Sequence, residues 1–480
     1  MKELLELAVD RLREKGVDYG DARIGWYRYQ NIQVRDSVAV NLSTHGSEGI
    51  GIRARVGGGW GFFSTQDLTQ DGVVLAVDRA LEIARASAML SMNAPFAQEA
   101  THQVVWKTPY EIDPFSISIQ EKTDLLMEIN RVIRSNPAVA RAVSFLNFSR
   151  EHKMFMSTEG SQSDQLLMRV DGACIATAIG PEGFESRTFS LTPLNIGYEH
   201  VLKAPWFDEA ARIADEAVEK LHAPVCPEEQ TDLILLPTHT CLVIHETIGH
   251  ATELDRVMGW EADMAGTSFA TTDRLRRLQY GSEIFNVVAD RTMPNGRSTV
   301  MVDDEGVATG AWHLIRDGVL TGYSTTRSTA HYIGEERSRG CSYADSWSNV
   351  PILRMPNVSI EPGIGNAPSY EELLADTSDG VLVDGMGSFS IDHQRINFQF
   401  GGDAVWRIRN GRKEHMLRRF TYQSHNPVFW NSVDTICRQD EWRPEGVVNC
   451  GKGQPMQRAQ LTHGSAPLRL RNITIGRAKI

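Results

Sequence analysis

The sequence predicts an α+β protein of two domains with mixed, largely antiparallel sheets. Three observations lead there. Apolar residues recur at helical spacing in a few separated segments, runs of β-formers are joined by short glycine-rich or polar turns, and the stretch Ala223-Pro224-Val225-Cys226-Pro227 breaks both patterns with two prolines. That break divides the chain into an N-terminal domain of helices and antiparallel sheet, 1–223, and a β-rich C-terminal domain, 228–480.

In chain order, Leu4, Leu5, Ala8 and Leu12 form the apolar face of a first helix that Gly16 ends. Ala22 to Tyr29 and Ile32 to Val40 read as two paired strands around a short polar connection at Gln30 and Asn31. A second hairpin runs from Gly49 to Ser64 with its turn at Gly57, Gly58 and Gly59. Gly49 and Gly51 are assigned to turn or bulge positions, because no helix opens behind them as a nucleotide-binding loop requires. Val73 to Ala88 and Glu121 to Ser135 carry helical periodicity, the second ending before Pro137. Strand-like runs from about Arg141 to Leu191 suggest an antiparallel meander, and a helix over Phe207 to Leu221 closes this half. Beyond the break the β segments are shorter, such as Pro351 to Met355 and Gly380 to Val383.

The formal net charge of −12 argues against a general polyanion-binding surface, so nucleic acid is not an expected direct partner. No apolar run approaches the roughly 18 residues of a membrane span, and Met1 to Leu7 alternates charge with apolar residues as a helix does, unlike a signal peptide. The six cysteines lack the close spacings of a disulfide scaffold, which fits a reducing, cytoplasmic setting. A functional cysteine there is a ligand or nucleophile sooner than half of a bridge.

The chemistry concentrates after a buried-strand pattern, Asp232 to Pro237. Thr238 is a cap candidate for a helix that bears His245-Glu246-Thr247-Ile248-Gly249-His250. In a regular α-helix, positions five apart point about 140° away from each other, so these imidazoles would not meet at one ion. A π-type turn restores a common face, and Gly249 permits that distortion. A catalytic zinc needs three protein ligands and a fourth position for water. His245 and His250 supply two. For the third, Cys450 ranks first, since a soft thiolate suits zinc and Gly451 and Gly453 let backbone approach an ion; Glu253 and Asp255 are the alternatives. Glu246 is placed to take a proton from the zinc-bound water, readying it for attack on a peptide carbonyl.

The motif His245-Glu246-Thr247-Ile248-Gly249-His250, together with Cys450-Gly451-Lys452-Gly453-Gln454, resembles the TldD/PmbA family of metallopeptidases, whose metal-binding branch carries both, the second one residue longer. Gly49 to Arg53, Trp60 to Thr65 and Pro351 to Asn357 are similar as well, so the likeness spans most of the chain. The resemblance implies a two-domain TldD/PmbA-like architecture, zinc held by His245, His250 and Cys450, and a dimer that encloses the active site. It also implies that the partner is a second copy or a homologous subunit lacking the metal motif, and that substrates enter as an added strand.

Among the remaining candidates, Arg354 suits a substrate carboxylate or carbonyl, with a structural salt bridge as the preferred reading. His331, His393 and His425 are substrate-contact or supporting candidates of unknown surroundings. Asp303-Asp304-Glu305-Gly306 is acidic but lacks the alternating ligand spacing of a calcium loop and reads as a hairpin turn. Cys241, four residues before His245, reads as a buried packing thiol. The expected function is a zinc-dependent peptidase for unfolded or extended peptides. The alternative is a non-catalytic peptide-binding or regulatory protein whose structural metal is saturated by His245, His250, Cys450 and Cys241.

Overall fold

The computed structural model describes residues 1–90, 94–181 and 183–477. In the N-terminal half, long runs of β-formers build β1 (Tyr19–Arg35), β2 (Val38–Val56), β3 (Gly59–Thr65), β4 (Gln103–Lys107), β5 (Val139–Ser157), β6 (Gln162–Gly180) and β7 (Gly183–Ser190). They form one sheet in the order β3-β2-β1-β5-β6-β4, with β7 also on β6, and only the β4–β6 pair is parallel. Helices α1 (Lys2–Glu14) and α2 (Gln70–Ala88) bury Leu5, Leu12 and Val77 against Ile50 and Ile52. Helices α3 (Ile119–Arg134), α4 (Glu199–Lys203) and α5 (Trp206–His222) bury Leu126, Val201 and Ile213 against Leu146 and Val170. The capping box of Ser118 and Glu121 starts α3.

Two local expectations change. The first turn lies at Asp36 and Ser37, where Asp36 takes φ 52°, and β1 runs straight through Gln30 and Asn31. The polar pair does not break the strand because its side chains are satisfied from neighbouring elements. Lys122 of α3 donates to Gln30 Oε1 at 2.6 Å, and Asn31 bonds Asn147 of β5. Gly49 and Gly51 also lie within continuous strand, so neither marks a turn or bulge. They make room for the C-terminal half: a Cβ on Gly49 would sit 2.4 Å from the Trp347 ring, and one on Gly51 2.4 Å from the Trp347 carbonyl.

The C-terminal half is organised around β8 (Glu229–Leu235), whose apolar end, Leu233 to Leu235, is buried in its sheet. It pairs in parallel with the strand Asp379–Ile391 and antiparallel with Leu468–Arg477. Strands Phe420–His425 and Asn397–Arg409 continue the order, and the latter pairs back onto Asp379–Ile391, so five strands close into a ring. The sheets are thus mixed and largely antiparallel, as expected of the α+β class. Helix α6 (Pro237–Ile244) leaves the end of β8 and is buried along nearly all of its length. No helix among the described residues is long and apolar enough to cross a membrane.

The acidic turn Asp303 to Gly306 is a turn, as its sequence suggested, and its carboxylates hold the two halves together. Asp303 accepts from the amides of Glu305 and Val307, Asp304 pairs with Lys153 of β5 at 2.9 Å, and Glu305 pairs with Arg53 of β2 at 3.1 Å. Beside them Glu151 of β5 takes Lys153 at 2.7 Å, Arg169 at 2.6 Å and the Tyr343 hydroxyl at 3.0 Å. Burial alone would raise this carboxyl, but Lys153 and Arg169 outweigh it and bring it down to about 2. Its contribution to stability is therefore complete above the ordinary value of 4.5 and is lost as pH falls through about 2. Urea unfolding followed across that window should show stability falling with pH, and Glu151→Gln should flatten the fall; an unchanged pH profile in the variant would remove Glu151 from the acid response.

Candidate metal centre

Helix α6 begins on Pro237, which suits a first turn because its missing N–H has no helical partner there. Thr238 is not the cap. Its hydroxyl instead bonds Asp384 on the neighbouring strand. At His245 the helix widens into a π turn over His245–Gly249, closed by the His250 N–H on the His245 carbonyl. The extra residue brings both imidazoles to one side, with ring centroids 4.6 Å apart. Widening displaces backbone groups, and the Thr247 carbonyl is taken up by the Tyr280 hydroxyl and by Asn426 Nδ2. Gly249 itself has a helical φ of −54°, so conformational freedom is not its role. A Cβ there would stand 2.2 Å from Met355 Sδ, and the glycine is the space that Met355 fills.

The ring nitrogens can be assigned from their partners. His463 Nδ1 faces the Val358 carbonyl at 3.0 Å, which only accepts, so this nitrogen carries a proton and His463 Nε2 is an acceptor. His245 Nδ1, 2.8 Å from that acceptor, therefore donates, and His245 Nε2 keeps its lone pair. In the same way His250 Nδ1 donates to Glu253 Oε2 at 2.7 Å and leaves its Nε2 unprotonated. Burial pushes all three rings toward the neutral form: His245 well below its ordinary value, His250 to about 3 and His463 to about 4.

Cys450 closes the cluster. The ligand atoms of His245, His250 and Cys450 all lie within 4.8 Å of one another, and Cys450 Sγ stands 3.4 Å from His250 Nε2. Two donors bound tetrahedrally to one zinc at ordinary bond lengths are separated by about 3.5 Å. Two neutral imidazoles with unprotonated Nε2 atoms and one thiol are therefore a donor set that fits zinc. Burial pushes the Cys450 thiol up to about 11, and a cation is what would bring it down as a ligand. Among the described residues Arg354 forms no salt bridge. Its guanidinium donates to the carbonyls of Cys450 and Gln457, both at 2.7 Å, and so holds the cysteine strand in place.

The acidic alternatives for the third donor are used elsewhere. Glu253 orients His250, and Lys452, two residues after the cysteine, pairs with Glu253 at 3.1 Å and Asp255 at 2.8 Å. Burial opposes the charge on Glu253, yet Lys452, His250 and Arg256 hold it well below the usual carboxylate range. Glu246 sits beside the donors, close enough to Cys450 to push its thiol further up. Its Oε2 accepts from Arg395 Nη1 at 2.7 Å, while burial, only partly offset by Arg395, raises the carboxyl above its ordinary value. Cys241 is outside the cluster, donating to the Thr238 carbonyl at 3.3 Å. His393 and His425 are exposed, His331 lies against the Tyr332 ring at a tilt of 36°, and none belongs to the donor group. Sequence reasoning missed His463, Lys452, Arg395, Tyr280 and Asn426. Lys452 alone carried a signal, its place in the cysteine motif.

Because Met355 occupies the space beside Gly249, Gly249→Ala should lower stability by about 1–3 kcal/mol through overpacking and weaken zinc uptake by displacing His250. Urea unfolding and zinc titration check both; a variant with unchanged zinc affinity would show that Gly249 does not position His250.

Three family models match the chain: PmbA/TldA metallopeptidase domain 1 over residues 20–84, the central domain over 112–223 and the C-terminal domain over 228–477. A metalloprotease of Methanocaldococcus jannaschii is 26% identical over 447 residues, covering 92% of this chain and 94% of that protein. Among solved structures, a proposed modulator of a DNA gyrase from Thermotoga maritima superposes with a TM-score of 0.80 at 15% identity, covering 99% of this chain and 100% of the other. TldE from Thermococcus kodakarensis does so with 0.73 at 17%, covering 99% of each. At those identities the structures speak to the fold alone. With the C-terminal model alone spanning residues 228–477, more than half of the sequence, the chain belongs to the TldD/PmbA family of metallopeptidases.

Proposed function

We propose that this protein is a zinc-dependent peptidase that hydrolyses unfolded or extended peptides inside an enclosed cleft. It works in the cytoplasm as a dimer with a second copy or with a homologous subunit lacking the metal motif. The observation that carries the reading is the convergence of two unprotonated imidazole Nε2 atoms and the Cys450 sulfur beside a carboxylate that is no part of the donor group. Zinc bound there would act as a Lewis acid and lower the pKa of water toward neutrality.

The chain's own residues do the rest. Arg395 engages Glu246 Oε2, which leaves Oε1 to accept a proton from the attacking water and to pass it to the departing amine. Glu253, with Lys452 and Arg256 around it, holds the His250 ring in one tautomer; His463 does the same for His245. The strand Ile352–Leu353 supports the extended-substrate reading. It pairs only with Ser342–Tyr343 among the described residues, and its continuation, Arg354 and Met355, touches the Cys450 carbonyl and the space at Gly249. An extended peptide added to such an edge is held mainly through its backbone, with little sequence preference. The alternative, a closed structural site with Cys241 as fourth ligand, loses support from the position of that thiol.

Glu246→Gln should retain about one zinc per chain while cleavage falls by about 10²–10⁴-fold; undiminished turnover with zinc bound would take Glu246 out of the mechanism. The zinc-loaded protein, alone or with its partner, should digest a flexible peptide and spare a stable globular protein. Rapid digestion of the folded protein would contradict the enclosed cleft.

A further inference from the structure

A cavity of about 690 Å³ lies between the halves, lined by none of the three metal donors and bounded by β5, β6, β7 and α5 on one side and by α6 and the strand Arg443–Lys452 on the other. Much of its wall is apolar, with Phe145, Ala173, Phe189, Leu191 and Val448 among the lining side chains. Its charged side chains are nearly all committed. Arg187 takes Asp384 and Asp403, Arg212 takes Glu209, Lys203 approaches Glu111 at 3.7 Å, and Asp171 accepts from Asn147 at 2.9 Å. Glu445 is the exception. It lines the cavity, and among the described residues its carboxyl makes no hydrogen bond or ion pair; the nearby charge acting on it, that of Asp384, repels its own.

An ionised carboxylate in an apolar wall without a countercharge is costly, and a protein that keeps one there holds it neutral or meets it with a ligand. We propose that this cavity is a second ligand site, which takes a small organic ammonium ion with an apolar body and seats its nitrogen on the Glu445 carboxylate. The dimensions suit a compact organic molecule, since ligand sites run from about 300 to 1,000 Å³. The apolar walls cover the body, and the single uncommitted acid selects the sign of the charge. Burial raises the Glu445 carboxyl to about 8, so the empty cavity favours the neutral acid and an incoming cation supplies the missing partner. An anion or a zwitterion would place a negative charge beside Asp384 and is disfavoured.

The test uses the full-length zinc-loaded protein and three probes of one shape, 4-phenylbutylamine, 4-phenylbutanol and 4-phenylbutyrate, in calorimetric titrations. A charge-assisted bond implies that the amine binds at least about tenfold more tightly than the alcohol, with the carboxylate weakest. Glu445→Gln should abolish the amine's advantage while zinc content stays the same, which also separates this site from direct coordination of the amine by zinc. Equal binding of amine and alcohol, amine binding that survives Glu445→Gln, or no binding of any probe would each overturn the proposal.

Discussion

The hydrogen bond from the His250 N–H to the His245 carbonyl closes a turn one residue wider than an α-helix, and the candidate centre is arranged around that bond. With ordinary helical spacing the two imidazoles would diverge by about 140°, and no rotamer change would bring both lone pairs to one point. A widened turn is costly when its displaced backbone groups are buried without partners. Here Tyr280 and Asn426 meet the Thr247 carbonyl, Trp430 meets the Thr247 hydroxyl at 3.0 Å, and Met355 fills the space left at Gly249. The surrounding fold thus supplies the partners that make the distortion tolerable.

Around this turn the protein buries an unusual density of charge. Lys452, Glu253, Asp255 and Arg256 are all buried, and each is met by a group of opposite sign. Buried ion pairs of this kind contribute little net stability against well-packed apolar residues, so their use lies in holding geometry. Glu253 illustrates the point: it fixes the His250 tautomer, and Lys452, from the cysteine motif, fixes Glu253. The cysteine strand and the histidine helix are consequently linked twice, through the donor atoms and through this network. The same logic joins the halves, where Lys153–Asp304, Arg53–Glu305 and Arg187 with Asp384 and Asp403 are all largely desolvated.

Where sequence reading failed, it failed at residues whose reason lies across the fold. Gln30 and Asn31 look like a turn until Lys122 and Asn147 are seen to meet them inside a strand. Gly49, Gly51 and Gly249 look like conformational devices, yet each is a clearance for a side chain or backbone distant in sequence, Trp347 or Met355. Thr238 looks like a cap but bonds Asp384, and Arg354 looks like a charge in need of a charge but donates to two carbonyls. Each mistake assigned a local cause to a residue chosen for a long-range contact.

Local periodicity was enough to determine the helices α1, α2, α3 and α5, the antiparallel meander and the need for a widened turn in His245 to His250, because 3.6- and 2-residue repeats and the angle between two positions on one helix are properties of neighbouring residues. The tertiary structure alone decided which of Cys450, Glu253 and Asp255 stands beside the two imidazoles, which ring nitrogen each histidine presents, and that His463 takes part. Those outcomes depend on where a strand some two hundred residues away from the helix comes to rest. That position is set by the packing and charge pairing of the whole C-terminal half, which no single stretch of sequence contains.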